Sequence, residues 1–166
     1  QKGQRFLIPA ISVVVKRVPN LCVVFLGSGA LKTDLVRQVN QAGLSEIIRF
    51  IDFQNNPADW IAMSSFVVLP SLYEGLPLIA IEALACERTL VATAVDGTPE
   101  IVIDEETGLL VAPASPEALA PAILRLLEDE ALRKELARAG RRHVVAHFQI
   151  ERQVAETEDL YCDLAG

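Results

Sequence analysis

The segment Ser71–Cys86 has the sequence SLYEGLPLIAIEALAC, and it follows an apolar run, Ser65–Pro70. The run contains β-branched valines, which favour a buried strand. Pro77 suits the first position of a helix, because its φ is already helical and its missing N–H would have had no partner. Between Pro77 and Cys86 the only charged residue is Glu82, and apolar side chains occupy the rest of the circumference. The sequence therefore predicts a strand, a loop and a helix that is buried on nearly every side.

The carboxylate of Glu82 needs compensation in such a helix, because a buried and unpaired charge would cost several kcal/mol. One interpretation is that Glu82 borders a solvent-filled crevice and has no role. The other is a ligand site, because ligands of open α/β sheets bind where a strand, a loop and a helix meet. Gly75 would let a ligand approach the loop backbone, and the free N–H groups at the helix start favour phosphate. The residues alone leave both interpretations open.

The rest of the chain alternates between predicted strands and helices. This alternation predicts an α/β fold, a Rossmann-like doubly wound parallel sheet with helices on both faces. Strands are predicted at 21–26, 47–53, 65–70, 89–95 and 108–112, and helices at 4–17, 30–42, 57–63, 77–86, 100–103, 115–128, 130–147 and 150–164.

Composition excludes several classes of protein. The length of 166 residues suits one domain. The net charge of −7, without a basic run, argues against nucleic acid as a binding partner. We find no signal peptide and no uncharged apolar stretch of the roughly 18 residues that span a bilayer. The odd number of widely spaced cysteines predicts reduced thiols in a cytoplasmic protein. His143 and His147 lie four apart on a predicted helix without an acid or cysteine cluster, so we expect a packing or surface role and no metal site.

Glu74 and Glu82 together form an E-x7-E pattern. Further motifs surround it in order within Val67–Pro113: V-L-P-S-x-x-E-G-x-P, E-A-x-A-C, V-A-T-x-V-x-G-x-P-E and T-G-L-L-V. This set resembles the retaining GT-B glycosyltransferases of family GT4. More loosely, the resemblance covers Lys2–Leu164 as the C-terminal, donor-binding half of such an enzyme.

The resemblance implies a role for each matching residue. Glu74 would hold the hydroxyls of the donor sugar near the reacting carbon, as the catalytic residue, and Glu82 would bind the ribose hydroxyls. The other implied contacts are the N–H groups of Gly75, Leu76 and Leu78 to the sugar and diphosphate, and Lys2 to the diphosphate. From its position between a strand and a helix, the loop that begins at Gly27 could receive phosphate or nucleoside, although it lacks the third glycine of a dinucleotide fingerprint.

Two positions depart from the family pattern. Asp96 replaces the first of two glycines before Pro99, which adds a negative charge near the expected phosphate site. Glu87 stands where glycine is common after the helix, and a left-handed conformation there would cost on the order of 1 kcal/mol.

As implied by the resemblance, residues 1–166 form a single donor-binding domain that lacks the acceptor-binding N-terminal domain and its own first, central strand. The isolated fragment would be inactive. The donor would be a UDP-, GDP- or ADP-sugar, used without metal or cofactor. The acceptor would be a saccharide or lipid-linked molecule held by the missing domain, in a cytoplasmic enzyme with at most peripheral membrane contact. Two alternatives stay open: a nucleotide-sugar epimerase of the GT-B fold, and a non-catalytic nucleotide-sugar-binding module.

Overall fold

The computed structural model of the chain describes residues 1–165, in which helices and strands alternate in the predicted order. Most helices and strands begin and end within two residues of the predicted positions. The elements are α1 (Gln4–Val14), β1 (Val23–Leu26), α2 (Lys32–Gln41), β2 (Ile48–Ile51), α3 (Pro57–Met63), β3 (Val67–Leu69), α4 (Leu78–Ala85), β4 (Leu90–Thr93), α5 (Thr98–Ile101), β5 (Leu109–Val111), α6 (Pro116–Glu128), α7 (Glu130–His147) and α8 (Ile150–Ala165).

All strand pairs are parallel, and the strands form two sheets. One sheet pairs β1 with β2, and the other has the order β3-β4-β5. β4 is buried on both faces: Val91 packs in one apolar cluster with α1 and α6, whereas Leu90 and Ala92 pack in another with α4 and α7. Helices therefore cover both faces of this parallel sheet, and the predicted fold class is confirmed.

β1 is less buried than its apolar sequence predicts. Val23 and Phe25 pack on the core, but Val24 and Leu26 on the opposite face are 39% and 38% exposed. The apolar run at 21–26 thus contains a strand that is buried on one side only, because the described helices pack on only one face of the β1-β2 sheet. Within residues 1–165, β1 pairs only with β2, and β3 only with β4, so β1 and β3 are both edge strands without a ladder partner on their other side.

α4 is also more open than predicted. Ala80, Ala83 and Leu84 are buried, but Leu78 is 66% exposed and Glu82 is exposed as well. These two residues are four apart and therefore share one face of the helix. The prediction of burial on nearly every side is wrong, because α3, α5, α7 and β4 contact α4 and leave this face uncovered.

Glu87 follows α4 in the left-handed conformation, with φ of 56°. Its N–H donates to the Leu84 carbonyl and the Arg88 N–H donates to the Ala83 carbonyl, which is the Schellman arrangement that glycine usually ends. The Glu87 carboxylate gains little in return, because its contact with Arg138 is 3.9 Å long and both side chains are largely exposed. The strain expected at this position is therefore present and uncompensated.

We expect Glu87→Gly to raise the free energy of unfolding by about 1 kcal/mol, because glycine adopts this conformation without the Cβ clash. Urea unfolding measures the change. Glu87→Ala is the matched control, since it removes the same carboxylate but keeps the Cβ, and it should give no such gain. Equal stability of the two variants would contradict the strain.

We also expect the 166-residue chain, prepared as a separate protein, to self-associate. Unpaired strand edges offer N–H and C=O groups to a second chain, and the apolar Val24 and Leu26 lie beside one of them. Light scattering measures association, and Val24→Lys should reduce it by placing a charge at this edge. A stable monomer of the unmodified chain with a cooperative melt would refute the expectation.

Candidate functional site

The first three residues lie against the loop that follows β3. The Leu72 N–H donates to the Gln1 carbonyl at 2.8 Å, and Gly3 has a left-handed φ of 66°. A Cβ on Gly3 would lie 1.7 Å from the Pro70 carbonyl oxygen, so only glycine allows this approach. The packing of Gly3 therefore brings Lys2 to the carboxyl end of β3.

Lys2 and Glu74 form an ion pair at this end of the sheet. The Lys2 ammonium lies 2.7 Å from Oε1 and 3.0 Å from Oε2 of Glu74, and the Ser71 hydroxyl donates to Oε1 at 2.6 Å. The Glu74 side chain is only 6% exposed, whereas that of Lys2 is 50% exposed. Glu74 is therefore a buried carboxylate whose charge is compensated by a cation and a hydroxyl.

The turn after β4 holds the backbone of the same loop. The Glu74 N–H donates to Oδ2 of Asp96 at 2.8 Å, and the Gly97 N–H donates to the Gly75 carbonyl at 3.1 Å. A Cβ on Gly97 would lie 2.3 Å from the Gly75 oxygen, so close approach explains this glycine. Two loops that follow neighbouring strands are thus joined by two hydrogen bonds.

The predicted N–H donors of the loop are open. Within residues 1–165, the N–H groups of Gly75, Leu76 and Leu78 have no hydrogen-bond acceptor. Gly75 is exposed, Leu76 is 45% exposed, and Leu78 is the first residue of α4. Glu82 lies one turn further on the open face and has no side-chain partner among the described residues. These groups can therefore accept a ligand without breaking existing contacts.

Glu82 needs no compensating partner for folding, which corrects the sequence argument that rested on its burial. The carboxylate is exposed because it shares the uncovered face of α4 with Leu78. Its position beside the open loop is what remains in favour of a ligand role, and the alternative of a solvated glutamate without a role also stays open.

Gly27 follows β1 and has a φ of 118°, which favours glycine. Its N–H is used by the sheet, since it donates to the Ile51 carbonyl at 2.8 Å, but a Cβ would meet no atom within 4 Å. Gly27 and the Glu74 loop each follow the carboxyl end of a strand, β1 in one sheet and β3 in the other. Beyond it, Lys32 and Asp52 form an exposed ion pair. Gly27 is thus open for close approach from its Cα side and not through its N–H.

Three residues of this site were not predicted as such. Ser71 gave a weak signal, as a hydroxyl directly after a buried strand, and Asp96 drew notice only as a departure from the family. Gly3 gives no sequence signal beyond its place next to Lys2. Their contacts join residues far apart in sequence, which local patterns do not report.

Other charged and ring side chains contact one another away from the Glu74 loop. A hydrogen bond from Arg125 lowers the pKa of the Glu105 carboxyl. Glu105 precedes β5, so this pair lies near the amino ends of the strands, opposite the end that carries the Glu74 loop. The rings of His143 and His147 contact each other at a tilt of 47° with centroids 4.9 Å apart, and His143 also packs edge-on against Phe148. Among residues 1–165, no three His, Cys, Asp or Glu side chains are grouped to hold a metal ion.

No described helix is both long and apolar enough to cross a membrane.

The family model of the glycosyl transferases group 1 matches residues 1–143. The chain belongs to this family. The alpha-D-kanosaminyltransferase of Streptomyces kanamyceticus is 31% identical over 139 residues, which make up 82% of this chain and 36% of that protein. The D-inositol 3-phosphate glycosyltransferase of Streptomyces bingchenggensis is 35% identical over 140 residues, 82% of this chain and 30% of that protein. The chain thus spans about a third of the length of these relatives.

Solved structures share the fold, among them one of a group 1 family glycosyl transferase. The C-terminal domain of LpcC from Francisella tularensis is 34% identical with a TM-score of 0.81, and the match covers 90% of this chain and 80% of that one. HepE from Anabaena, in complex with UDP-glucose, is 25% identical with a TM-score of 0.87, covering 95% of this chain and 45% of that one. The recognition of a glycosyltransferase C-terminal domain of the GT4 type, with one half of a GT-B fold, is confirmed.

We expect Gly3→Ala to lower the free energy of unfolding by about 1–3 kcal/mol, because its Cβ would overlap the Pro70 carbonyl and require a left-handed alanine. Gly29→Ala is the matched control: a Cβ there meets no atom within 4 Å, and the change should stay within about 0.5 kcal/mol. Urea unfolding of both variants measures the difference. Equal effects would show that residues 1–3 are not docked on the loop.

Proposed function

We propose that this chain is the donor-binding domain of a retaining glycosyltransferase that uses a nucleotide-sugar. The observation that carries the proposal is the buried Glu74 carboxylate, held by Lys2 and Ser71 beside the N–H groups of Gly75, Leu76 and Leu78, which have no acceptor within residues 1–165. This arrangement offers a cation and N–H donors to a diphosphate and a fixed carboxylate to sugar hydroxyls. The complex of HepE with UDP-glucose supports a nucleotide-sugar as the ligand class.

Lys2 can bind the diphosphate and keep its ion pair with Glu74 at the same time. An ammonium group has three N–H donors, and the two oxygens of Glu74 accept from it in the absence of ligand. Half of the Lys2 side chain is exposed, so phosphate oxygens can approach it from solvent. The N–H groups of Gly75, Leu76 and Leu78 would complete the anion site.

Glu82 is proposed to bind the ribose. An ionised carboxylate accepts hydrogen bonds from two hydroxyls at once, and the open face of α4 leaves room for them. Gly27 would flank the nucleoside at the neighbouring strand end. UDP, GDP and ADP remain the candidates for the nucleotide.

The proposed reaction is a front-face substitution at the anomeric carbon. The bond from this carbon to the diphosphate oxygen breaks, and the bond to the acceptor oxygen forms on the same face. The departing diphosphate takes the acceptor's hydroxyl proton. Lys2 and the loop N–H groups would stabilise the charge that develops on the diphosphate. Metal and cofactor have no part in this proposal.

The acceptor, a saccharide or lipid-linked molecule, is proposed to bind a further, N-terminal domain of a longer protein. The coverage of about a third of the relatives' length supports this division. The unpaired edges of β1 and β3 support a further strand between the two sheets. Free cysteines at positions 22, 86 and 162 support the cytoplasm as the location, with at most peripheral membrane contact.

The nucleotide should bind this chain weakly and through Glu82. We expect a dissociation constant near 1 mM, about −4 kcal/mol, for at least one of UDP, GDP and ADP. Calorimetry should show that Glu82→Ala abolishes binding. Glu135→Ala, at an exposed helical glutamate on α7, is the matched control and should bind as the unchanged chain does. Equal binding by the Glu82 variant would disprove the ribose assignment.

Glu74→Ala, made in the full-length protein, should lower turnover by orders of magnitude and change nucleotide affinity little, because Glu74 is placed to contact the sugar. Glu74→Gln retains acceptors for Ser71 and Lys2, so it separates loss of charge from loss of packing. Steady-state kinetics and calorimetry together measure the two effects. A variant that loses nucleotide affinity but keeps its turnover at saturation would reverse the roles of the two glutamates.

A further inference from the structure

Asp96 is the residue of the site whose presence the proposed chemistry does not explain. It lies in the turn after β4 in a left-handed conformation, with φ of 42°, which is uncommon for a residue other than glycine. Its Oδ2 accepts the Glu74 N–H at 2.8 Å. Non-glycine residues persist in such conformations where the surrounding structure requires them, and these positions cluster at functional sites.

We propose that Asp96 is a positioning residue, which fixes the peptide of Glu74 so that its carboxylate meets the donor sugar. This inference rests on the proposed role of Glu74. The carboxylate of Asp96 accepts a hydrogen bond from the Glu74 N–H of the loop. Asp96 therefore fixes the conformation of the loop, in addition to placing a negative charge near the expected phosphate site.

The hydrogen bonds of the loop support this role. Between Tyr73 and Leu76, the described backbone bonds are the one from Glu74 to Asp96 and the one between Gly97 and Gly75. The adjacent N–H groups of Gly75 and Leu76 have no acceptor in residues 1–165. The loop is therefore held at the Glu74 N–H and at the Gly75 carbonyl, while the next two N–H groups stay available, which matches a rigid carboxylate beside free anion donors.

The chain contains a matched carboxylate outside the site. Oδ1 of Asp104 accepts the Leu110 N–H at 2.8 Å, the same type of bond at the same length, near the amino end of β5. This end of the sheet lies opposite the Glu74 loop. Asp104→Ala therefore removes an equivalent hydrogen bond without touching the site.

The test uses the full-length protein with UDP-glucose, GDP-mannose and ADP-glucose as donors, and follows nucleotide release from the one turned over fastest. We expect Asp96→Ala to lower kcat about tenfold or more, as loss of a charged hydrogen bond predicts, and to leave the donor KM within about threefold. Asp96→Asn should recover most of kcat, because its amide oxygen can accept the Glu74 N–H and asparagine tolerates the left-handed conformation. Asp104→Ala should keep the kcat of the unchanged protein.

A second readout does not depend on activity. Amide hydrogen exchange of the segment 72–76, measured by mass spectrometry, should be about tenfold faster in Asp96→Ala and unchanged in Asp96→Asn and Asp104→Ala. If Asp96→Ala does not fold, Asp96→Gly replaces it, because glycine adopts a φ of 42° without cost and also removes the acceptor.

Three results would overturn the inference: an unchanged kcat in the variant without the acceptor, a loss in Asp96→Asn equal to that in Asp96→Ala, or unchanged exchange in residues 72–76. Failure of the proposed function is a different result. In that case Glu74→Ala keeps its turnover or none of the three donors is used, and the exchange measurement still decides whether Asp96 holds the Glu74 peptide.

Discussion

The buried carboxylate of Glu74 is the constraint on which the rest of the site depends. A charge that is only 6% exposed must be matched by a cation or by hydrogen bonds, or it would destabilise the fold. Lys2 and Ser71 supply this compensation, and the close contact of Gly3 with Pro70 brings Lys2 within reach. The backbone of the same residue is held by Asp96. The site is therefore stable before any ligand binds, which is what preorganised electrostatic stabilisation requires.

The two glutamates of the E-x7-E pattern have opposite environments. Glu74 is buried, paired and fixed at its peptide, whereas Glu82 is exposed on an open helix face without a partner in the described residues. A buried carboxylate with fixed geometry suits a group that must be placed accurately against a reacting sugar. An exposed carboxylate suits a binding contact that forms and breaks with each nucleotide. The difference in environment thus agrees with the different roles proposed for them.

The sequence was sufficient for the order of elements, the parallel strands and the family. Those features follow from periodicity, turn residues and local motifs, and the buried β4 is the clearest case. It was insufficient for what depends on distant neighbours. The open face of α4 and the exposed Val24 depend on which helices pack nearby. The contacts Lys2–Glu74 and Glu74–Asp96 join residues 72 and 22 positions apart, so no local pattern contains them.

Side-chain packing, and not backbone pairing, joins the two sheets of the described chain. Ile48 of β2 and Val91 of β4 belong to one apolar cluster, which Ile11 of α1 and Ile123 of α6 complete. α1 therefore contributes to the core that unites the sheets, and it begins directly after Gly3. Because a close-packed interior transmits displacement, a shift of α1 would move Lys2 relative to Glu74. The geometry of the ion pair consequently depends on the same core that holds the domain together.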